Sequence, residues 1–510
     1  MRGLGLPLSA LLLLGGCGGD RAPTGAAPEA DSQPLPSLAP KPPPPPPPAF
    51  PAGTRSLRLT RTVGVRLGPA GDAKRIGTIA QDTRVRWQRT AAGPGCSEVW
   101  VELEPRGWVC ADQLEASTRA AHGVELPRLD RGEVMPGVYG KIIDAGATTY
   151  TLDDPRASKG KKKKPAAKPA PPPPPPPPPE AAAPDDGPVA APSEVEPEVD
   201  PLGRTMTPGR PLVGSLNVRR YGEITIAGKA YWKISPRDNE WVLASSVRQH
   251  RPSGYDGVRL GDDTGLTLPI AFVWPRSGTK TWTRASATGG ASRHQVAQRD
   301  ALPVLETHAD GAGKALAYRV GPGEWIAADA VRLVEAQPPP ALIGPHERWI
   351  DVDADREILV AYEGTLPVFA TLVSGGKRDT PTERGLYRLW KKVSETDMNG
   401  LSGEDPYSVA TVPWTQFYNP ERGLALHAAY WHDGFGLPRS HGCVNLAPKV
   451  ARWLYTWSEP SVPPGWTMAA GVVEAPGSII RVRGKDTPEL PWRGYGKQVQ
   501  ELRQATGAPR

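Results

Sequence analysis

The chain has 510 residues, of which 62 are proline and 56 glycine, so nearly a quarter of it breaks regular structure, about twice the usual share. That excludes one large helical domain. Hydrophobic residues reach only 38% and tryptophan (16) outnumbers phenylalanine (5), the composition of several small modules separated by stretches that bury nothing. The net charge of +7 is mild, and no basic stripe interleaved with aromatics runs along a folding segment, which argues against a nucleic-acid partner.

At the N-terminus, Arg2 precedes an apolar run from Leu4 to Leu14 that is too short to span a bilayer as a helix and reads as a secretory signal, residues 1–16. The following Leu14-Gly15-Gly16-Cys17 resembles the bacterial lipoprotein box. The resemblance implies cleavage before Cys17, lipid attachment to its thiol, and an exported protein held at a membrane and facing the cell wall, in the periplasm. Two or more acyl chains anchor stably where one does not. An ordinary cleaved signal with a chance cysteine is the plainer alternative.

Residues 17–55 form a tether whose seven consecutive prolines, Pro42 to Pro48, favour the extended polyproline II form. A second spacer, 157–201, carries six lysines from Lys159 to Lys168, nine prolines from Pro171 to Pro179, and an acidic run from Glu180 to Asp200 that offsets the lysines. Neither composition can form a core. Both read as passive tethers, with contact between the lysine block and an anionic polymer as the alternative.

Between and after these spacers a pattern repeats. Gly107-Trp108-Val109-Cys110-Ala111-Asp112, Glu240-Trp241-Val242-Leu243-Ala244-Ser245 and Glu324-Trp325-Ile326-Ala327-Ala328-Asp329 each follow an alternating strand and a proline turn. A strand, a tight turn, a Trp-led strand and a short helical turn fit a small barrel with the Trp inside. The pattern resembles the bacterial Src-homology-3-like module and places copies at 56–118, 131–250 (interrupted by the second spacer) and 255–336. The resemblance implies binding to wall or peptide, while the same tryptophans serve equally well as core. In an oxidising compartment Cys96 and Cys110 can pair, closing a loop of about 15 residues worth roughly 3 kcal/mol. Cys443 is then the odd cysteine.

From about Arg348 the pattern becomes that of a β-rich domain. Trp349 to Val352, Glu357 to Tyr362 and Leu366 to Val373 alternate as three strands. Ser374 to Lys377, Thr380 to Leu389, Gly423 to His432 and Arg439 to Leu446 follow. Three of the eight histidines, His427, His432 and His441, lie within sixteen residues of Cys443. A thiol becomes a nucleophile when a nearby imidazole takes its proton, and Gly442 lets the backbone turn and offer amides to an oxyanion. A Cys/His acyl-transfer site follows, with His427 as base from a neighbouring strand and His432 as the alternative base. A zinc site is the weaker chemical rival, because the spacings are not those of known zinc motifs. An inert buried cysteine is the plain alternative.

Ser440-His441-Gly442-Cys443-Val444-Asn445, sixteen residues after His427, resembles the catalytic signature of the bacterial L,D-transpeptidases, with further counterparts at Ser374 to Lys377 and Thr380 to Leu389. The resemblance covers 347–482. It implies a mainly β fold, small Src-homology-3-like barrels followed by a β-sandwich-like catalytic domain, with a Cys443 nucleophile, a His427 base and no cofactor or metal. It further implies that the Ala428 carbonyl orients the imidazole, that Ser440, His441 and Gly442 support the oxyanion, and that Tyr430, Trp431 and Asn445 touch substrate. The substrates implied are peptidoglycan stem peptides: a tetrapeptide donor loses D-Ala and an amine acceptor gives a 3-3 cross-link. Hydrolysis by the same site, ligation of a protein to the wall, or a non-catalytic wall-binding lipoprotein are the alternatives. Ala428 stands where many relatives have Gly, and Asn445 where Arg is frequent. Lys391 to Trp414 is expected as a lid or a long surface loop, 447–457 as a helix behind the cysteine strand, Ser478 to Val482 as a last strand, and 483–510 as a loosely ordered tail.

Overall fold

A computed structural model describes residues 50–156, 200–274, 279–340, 343–400, 407–485 and 490–506. The signal segment, Cys17, most of the first tether and nearly all of the second spacer lie outside the described residues. The fold is mainly β, with two α-helices among the described residues, Pro448–Trp457 and Gly494–Thr506.

The three alternating runs that open the catalytic region form a meander. Arg348–Asp353 pairs antiparallel with Ile358–Glu363, which pairs with Leu366–Leu372. Ile479–Arg483 then returns parallel beside the first strand, and Gly385–Arg388 closes that side. Side chains of this sheet, among them Trp349, Val360 and Phe369, share one buried core with Val412, Leu426 and Val444 of a second sheet. The two layers are therefore held by one continuous apolar interior, the largest favourable term available to the fold.

The second sheet extends beyond the catalytic region on both sides. Its central pair is Lys391–Gly400 with Tyr407–Asn419. On one flank Lys391–Gly400 pairs with Trp466–Ala470, which pairs in turn with Arg75–Ile79 of the first module. The Trp466 ring crosses Gly77 so closely that a Cβ there would lie 2.0 Å from a ring carbon, so this crossing requires glycine. On the other flank Ser215–Arg220 of the second module runs parallel to Tyr407–Asn419 and pairs outward with Val138–Ile142. Hydrogen-bonded strands thus run without a break from the first module, through the catalytic region, to the second.

Each Trp-led repeat takes the same local form: a strand, a turn, a short strand carrying the Trp, a single 3-10 turn and a further strand. Trp108 and Trp241 are buried as expected, and the alternation along the short strand sends the residue after each Trp to the opposite face. The fully buried residue is the next one, Val109, Val242 or Ile326, and each lies in its module's core cluster. Trp108 packs on the other face beside Trp100 and the Cys96–Cys110 disulfide, Trp241 packs with Met206 and Tyr231, and Trp325 is only half-buried. In the second module Thr148–Asp153 pairs directly with Thr205–Pro211, so the long spacer is an excursion between two adjacent strands.

Two expectations about irregular segments are overturned. Lys391 to Trp414 is neither lid nor loop in its described part but two long strands of the central sheet, anchored on both outer edges. The tail after Lys485 contains the helix Gly494–Thr506, whose Tyr495 and Val499, four residues apart on one face, are buried against the Gly385–Arg388 side. Val499→Ala should therefore lower the thermal midpoint, at a cost of about 1–2 kcal/mol, while Glu501→Ala on the exposed face should change stability by less than about 0.5 kcal/mol. A thermal-shift comparison of the two variants checks this.

Candidate active site

Two short parallel strands hold the chemistry. Leu424–Ala428 pairs with Val444–Leu446 in the register Leu426 to Val444, His427 to Asn445 and Ala428 to Leu446. Side chains alternate along a strand, so His427 and Asn445 share a face, and Cys443, two residues before Asn445, joins them. All three line one cavity of about 140 Å³ together with Trp431, His441 and Tyr407. Helix Pro448–Trp457 begins just after the second strand and buries Val450, Ala451 and Leu454, backing the pair with apolar contacts.

The turn before Cys443 is clamped from outside. Gly442 has φ +119°, a conformation that L side chains rarely adopt, which accounts for glycine immediately before Cys443. The Ser440 hydroxyl donates to the Cys443 carbonyl and accepts the Gly442 N–H at 3.1 Å. This changes the expected oxyanion role: the Gly442 amide is engaged by Ser440, whose side chain shapes the turn. The Ser374–Lys377 segment is the other half of the clamp. Ser374 and Asn445 exchange backbone hydrogen bonds of 3.0 and 2.9 Å, and the Lys377 N–H donates to the Ser440 carbonyl at 2.9 Å. Thr380 Oγ1 donates to that same carbonyl, and Thr382 Oγ1 accepts the Gly376 N–H. Both motifs thus brace the cysteine turn. Behind them lies Glu357, a buried carboxyl that accepts the Gly375 N–H and is pushed up to about 7 by burial. No sequence signal marked it.

The imidazole is oriented by its own strand. His427 Nδ1 lies 3.2 Å from the Ala428 carbonyl, which can only accept, so Nδ1 carries the hydrogen and Nε2 keeps the lone pair. Burial lowers the His427 pKa to about 4. Cys443 is half-buried, and desolvation pushes its thiol up to about 11, opposed by a backbone hydrogen bond with Ala425. At neutral pH the resting pair is therefore thiol and neutral imidazole.

The remaining candidates separate. Trp431 stacks over His427 with ring centroids 5.8 Å apart and lines the cavity. His441 is exposed and stacks on Tyr407 at 4.7 Å. Tyr430 is corrected as a substrate contact: it is fully buried, donates to the Ala410 carbonyl at 2.8 Å, and packs against Tyr139 of the second module. Its neighbour Trp431, just beyond the end of strand Leu424–Ala428, takes the cavity face instead. His432 is corrected as the alternative base. It is absent from the cavity wall, and its two ring nitrogens are taken by the Gly434 N–H at 3.2 Å and the Asn445 carboxamide at 3.0 Å. Among the described residues no group of His, Cys, Asp and Glu is arranged to hold a metal ion. Sequence reasoning missed Met398, Tyr407, Val409, Arg439 and, from the second module, Ser215 and Asn217, all of which line the cavity.

Because the thiol titrates near 11, alkylation of Cys443 by iodoacetamide should speed up about tenfold per pH unit from pH 6 to 9, in step with the thiolate fraction. A rate that is flat across this range would instead reveal a resting thiolate–imidazolium pair.

The family model for the YkuD L,D-transpeptidase catalytic domain matches residues 347–477. Over 128 residues the chain is 29% identical to a probable L,D-transpeptidase 3 of Mycobacterium tuberculosis, a match covering 24% of this chain and 42% of that relative. The chain thus spans less than half the length of that curated relative. Similar solved structures include a cysteine-to-serine mutant of an Enterococcus faecium L,D-transpeptidase, 22% identical over 27% of this chain and 50% of that one, with a TM-score of 0.22. An L,D-transpeptidase from Mycobacterium smegmatis is 19% identical over 46% of this chain and 89% of that one, with a TM-score of 0.23.

Proposed function

We propose that this chain, whose residues 347–477 match the L,D-transpeptidase catalytic domain family, is an enzyme that forms a thioester between Cys443 and a peptidoglycan tetrapeptide stem and passes the acyl group to an amine. The observation that carries this reading is the single cavity lined by Cys443 and by a His427 whose Nδ1 is committed to the Ala428 carbonyl. That tautomer leaves Nε2 as the one ring atom able to take a proton.

The steps follow from those atoms. Cys443 Sγ attacks the carbonyl of the third residue of the stem while its proton passes to His427 Nε2. A neutral pair avoids holding two charges in a dry pocket before substrate arrives. The tetrahedral oxyanion is met by the Cys443 backbone N–H, with His441 at the rim, because Ser440 already occupies the Gly442 amide. Collapse breaks the bond to the terminal D-Ala, whose amine leaves with the proton from His427. The acceptor amine then attacks the thioester, giving up a proton to His427 and restoring the thiol. A stem-peptide amine gives a 3-3 cross-link, and water in its place gives a tripeptide.

Export to the wall fits the Cys96–Cys110 disulfide, a bond kept in oxidising compartments, and the lipoprotein box at Cys17 supplies the anchor. No helix among the described residues is long and apolar enough to cross a membrane. The Trp-led units read as Src-homology-3-like modules.

Purified protein incubated with disaccharide tetrapeptide should release D-Ala and yield cross-linked dimer by mass spectrometry. Cys443→Ala should yield neither product, and His427→Ala should lose about 10²–10⁴-fold in rate. His432→Ala, which removes contacts to Asn445 and the Gly434 N–H but no cavity-lining group, should lose far less. Tripeptide without dimer would mark a carboxypeptidase, and neither product with wild-type protein would leave a binding protein. Since His427 must be neutral and titrates near 4, kcat/KM should fall on the acid side only as pH approaches 4, about two units below an ordinary histidine limb.

A further inference from the structure

The wall of the cavity that holds Cys443 is not made by residues 347–477 alone. Strand Ser215–Arg220 of the second module runs parallel to Tyr407–Asn419 with Ser215 beside Tyr407 and Asn217 beside Val409. These four residues share a face, and all four line the cavity that holds Cys443 and His427. The module is fixed there by more than the ladder. Tyr139 packs on Tyr430 with centroids 4.1 Å apart, the hydroxyls of Tyr221 and Thr411 lie 2.8 Å apart, and Arg219 pairs with Glu395 at 2.6 Å in a part-buried site.

Asn217 is held within this wall. It is 7% exposed, and its Oδ1 accepts from His250 Nε2 at 2.8 Å, while the His250 ring stands edge-on to Tyr430 at 5.6 Å. With Oδ1 so committed, the hydrogens on Nδ2 are what Asn217 offers a ligand. The cavity, about 140 Å³, opens to solvent beside the sulfur. On the acyl-transfer reading above, the occupant beside the sulfur is a stretch of peptide, whose carbonyl oxygens are the natural partners for an amide donor.

We propose that the second module completes the active site, with Asn217 Nδ2 donating to a carbonyl of the donor stem peptide beside Cys443 and His250 acting as the positioning residue that orients Asn217. This rests on the acyl-transfer reading above and adds the residue that holds the donor. The catalytic domain then needs the neighbouring module for substrate recognition, not merely for attachment.

The test uses the full chain and a disaccharide tetrapeptide donor, following acylation of Cys443 by mass spectrometry over a range of donor concentrations. Asn217→Ala should raise the donor concentration for half-maximal acylation roughly tenfold, the size of one hydrogen bond, with the saturating rate changed far less. The KM for the acceptor amine, the alkylation rate with iodoacetamide and the thermal midpoint should stay near wild type, which a loss of fold would not allow. His250→Phe should reproduce part of the donor defect, and His250→Gln, which keeps a donor toward Asn217, should relieve it. Normal donor dependence in Asn217→Ala overturns the assignment while leaving the thioester reading intact, as does a defect confined to the acceptor. A wild-type protein that is alkylated yet never acylated by the donor overturns both.

Discussion

The chemistry of this chain depends on the register of two short parallel strands. Leu424–Ala428 and Val444–Leu446 are hydrogen-bonded so that His427 faces Asn445, and the side-chain period of two then brings Cys443 to the same side. A slip of one residue in either strand would send His427 or Cys443 to the opposite face. Much of the surrounding structure keeps that register. The Ser440 hydroxyl closes the turn, Ser374 and Lys377 fix it through backbone hydrogen bonds, and helix Pro448–Trp457 holds the strands from behind.

That constraint accounts for the electrostatics. Strands packed tightly enough to hold register also exclude water, and exclusion of water drives the thiol up and the imidazole down. The same packing therefore positions the pair and keeps it uncharged at rest. Under the proposed acyl transfer, catalysis would rely less on a standing thiolate than on an oriented lone pair at Nε2 and on donors that meet negative charge as it forms. The Ala428 carbonyl, supplied by the base's own strand, is the least costly way to select that tautomer, since it needs no second side chain.

What the sequence made legible was local. The meander from Arg348 to Leu372 showed in its alternation, and the helix after Ala447 in its apolar spacing and its proline. Cys443 and His427 were marked by their chemical types and the glycine between. Tyr430 and Trp431 were both assigned to substrate as adjacent aromatics, yet beyond the end of strand Leu424–Ala428 only Trp431 lines the cavity, while Tyr430 is buried against Tyr139. The hairpin of Lys391–Gly400 and Tyr407–Asn419 was hidden by its polar composition, which is tolerated because other strands cover its outer edges. The tail helix was hidden because only two apolar residues, Tyr495 and Val499, anchor it. Ser215 and Asn217 gave no signal at all: an ordinary strand segment acquires meaning only from the strand it pairs with some two hundred residues later.

The long-range pairing carries a consequence for the architecture as a whole. Modules strung on flexible linkers can be gained or lost with little effect on one another, but modules that share a sheet cannot. Here the Trp466–Ala470 strand enters the core of the first module, and the second module supplies a strand to the edge beside the cavity. Removing either would expose the unpaired backbone groups of an edge strand, and in the first case Trp466 as well. The long spacer between Thr148–Asp153 and Thr205–Pro211 leaves the second module's sheet intact because its ends are held together by the strands it interrupts. Length is thus accommodated in the spacers, while the units that flank the active site are bound to it by the same hydrogen-bond ladder that sets its geometry.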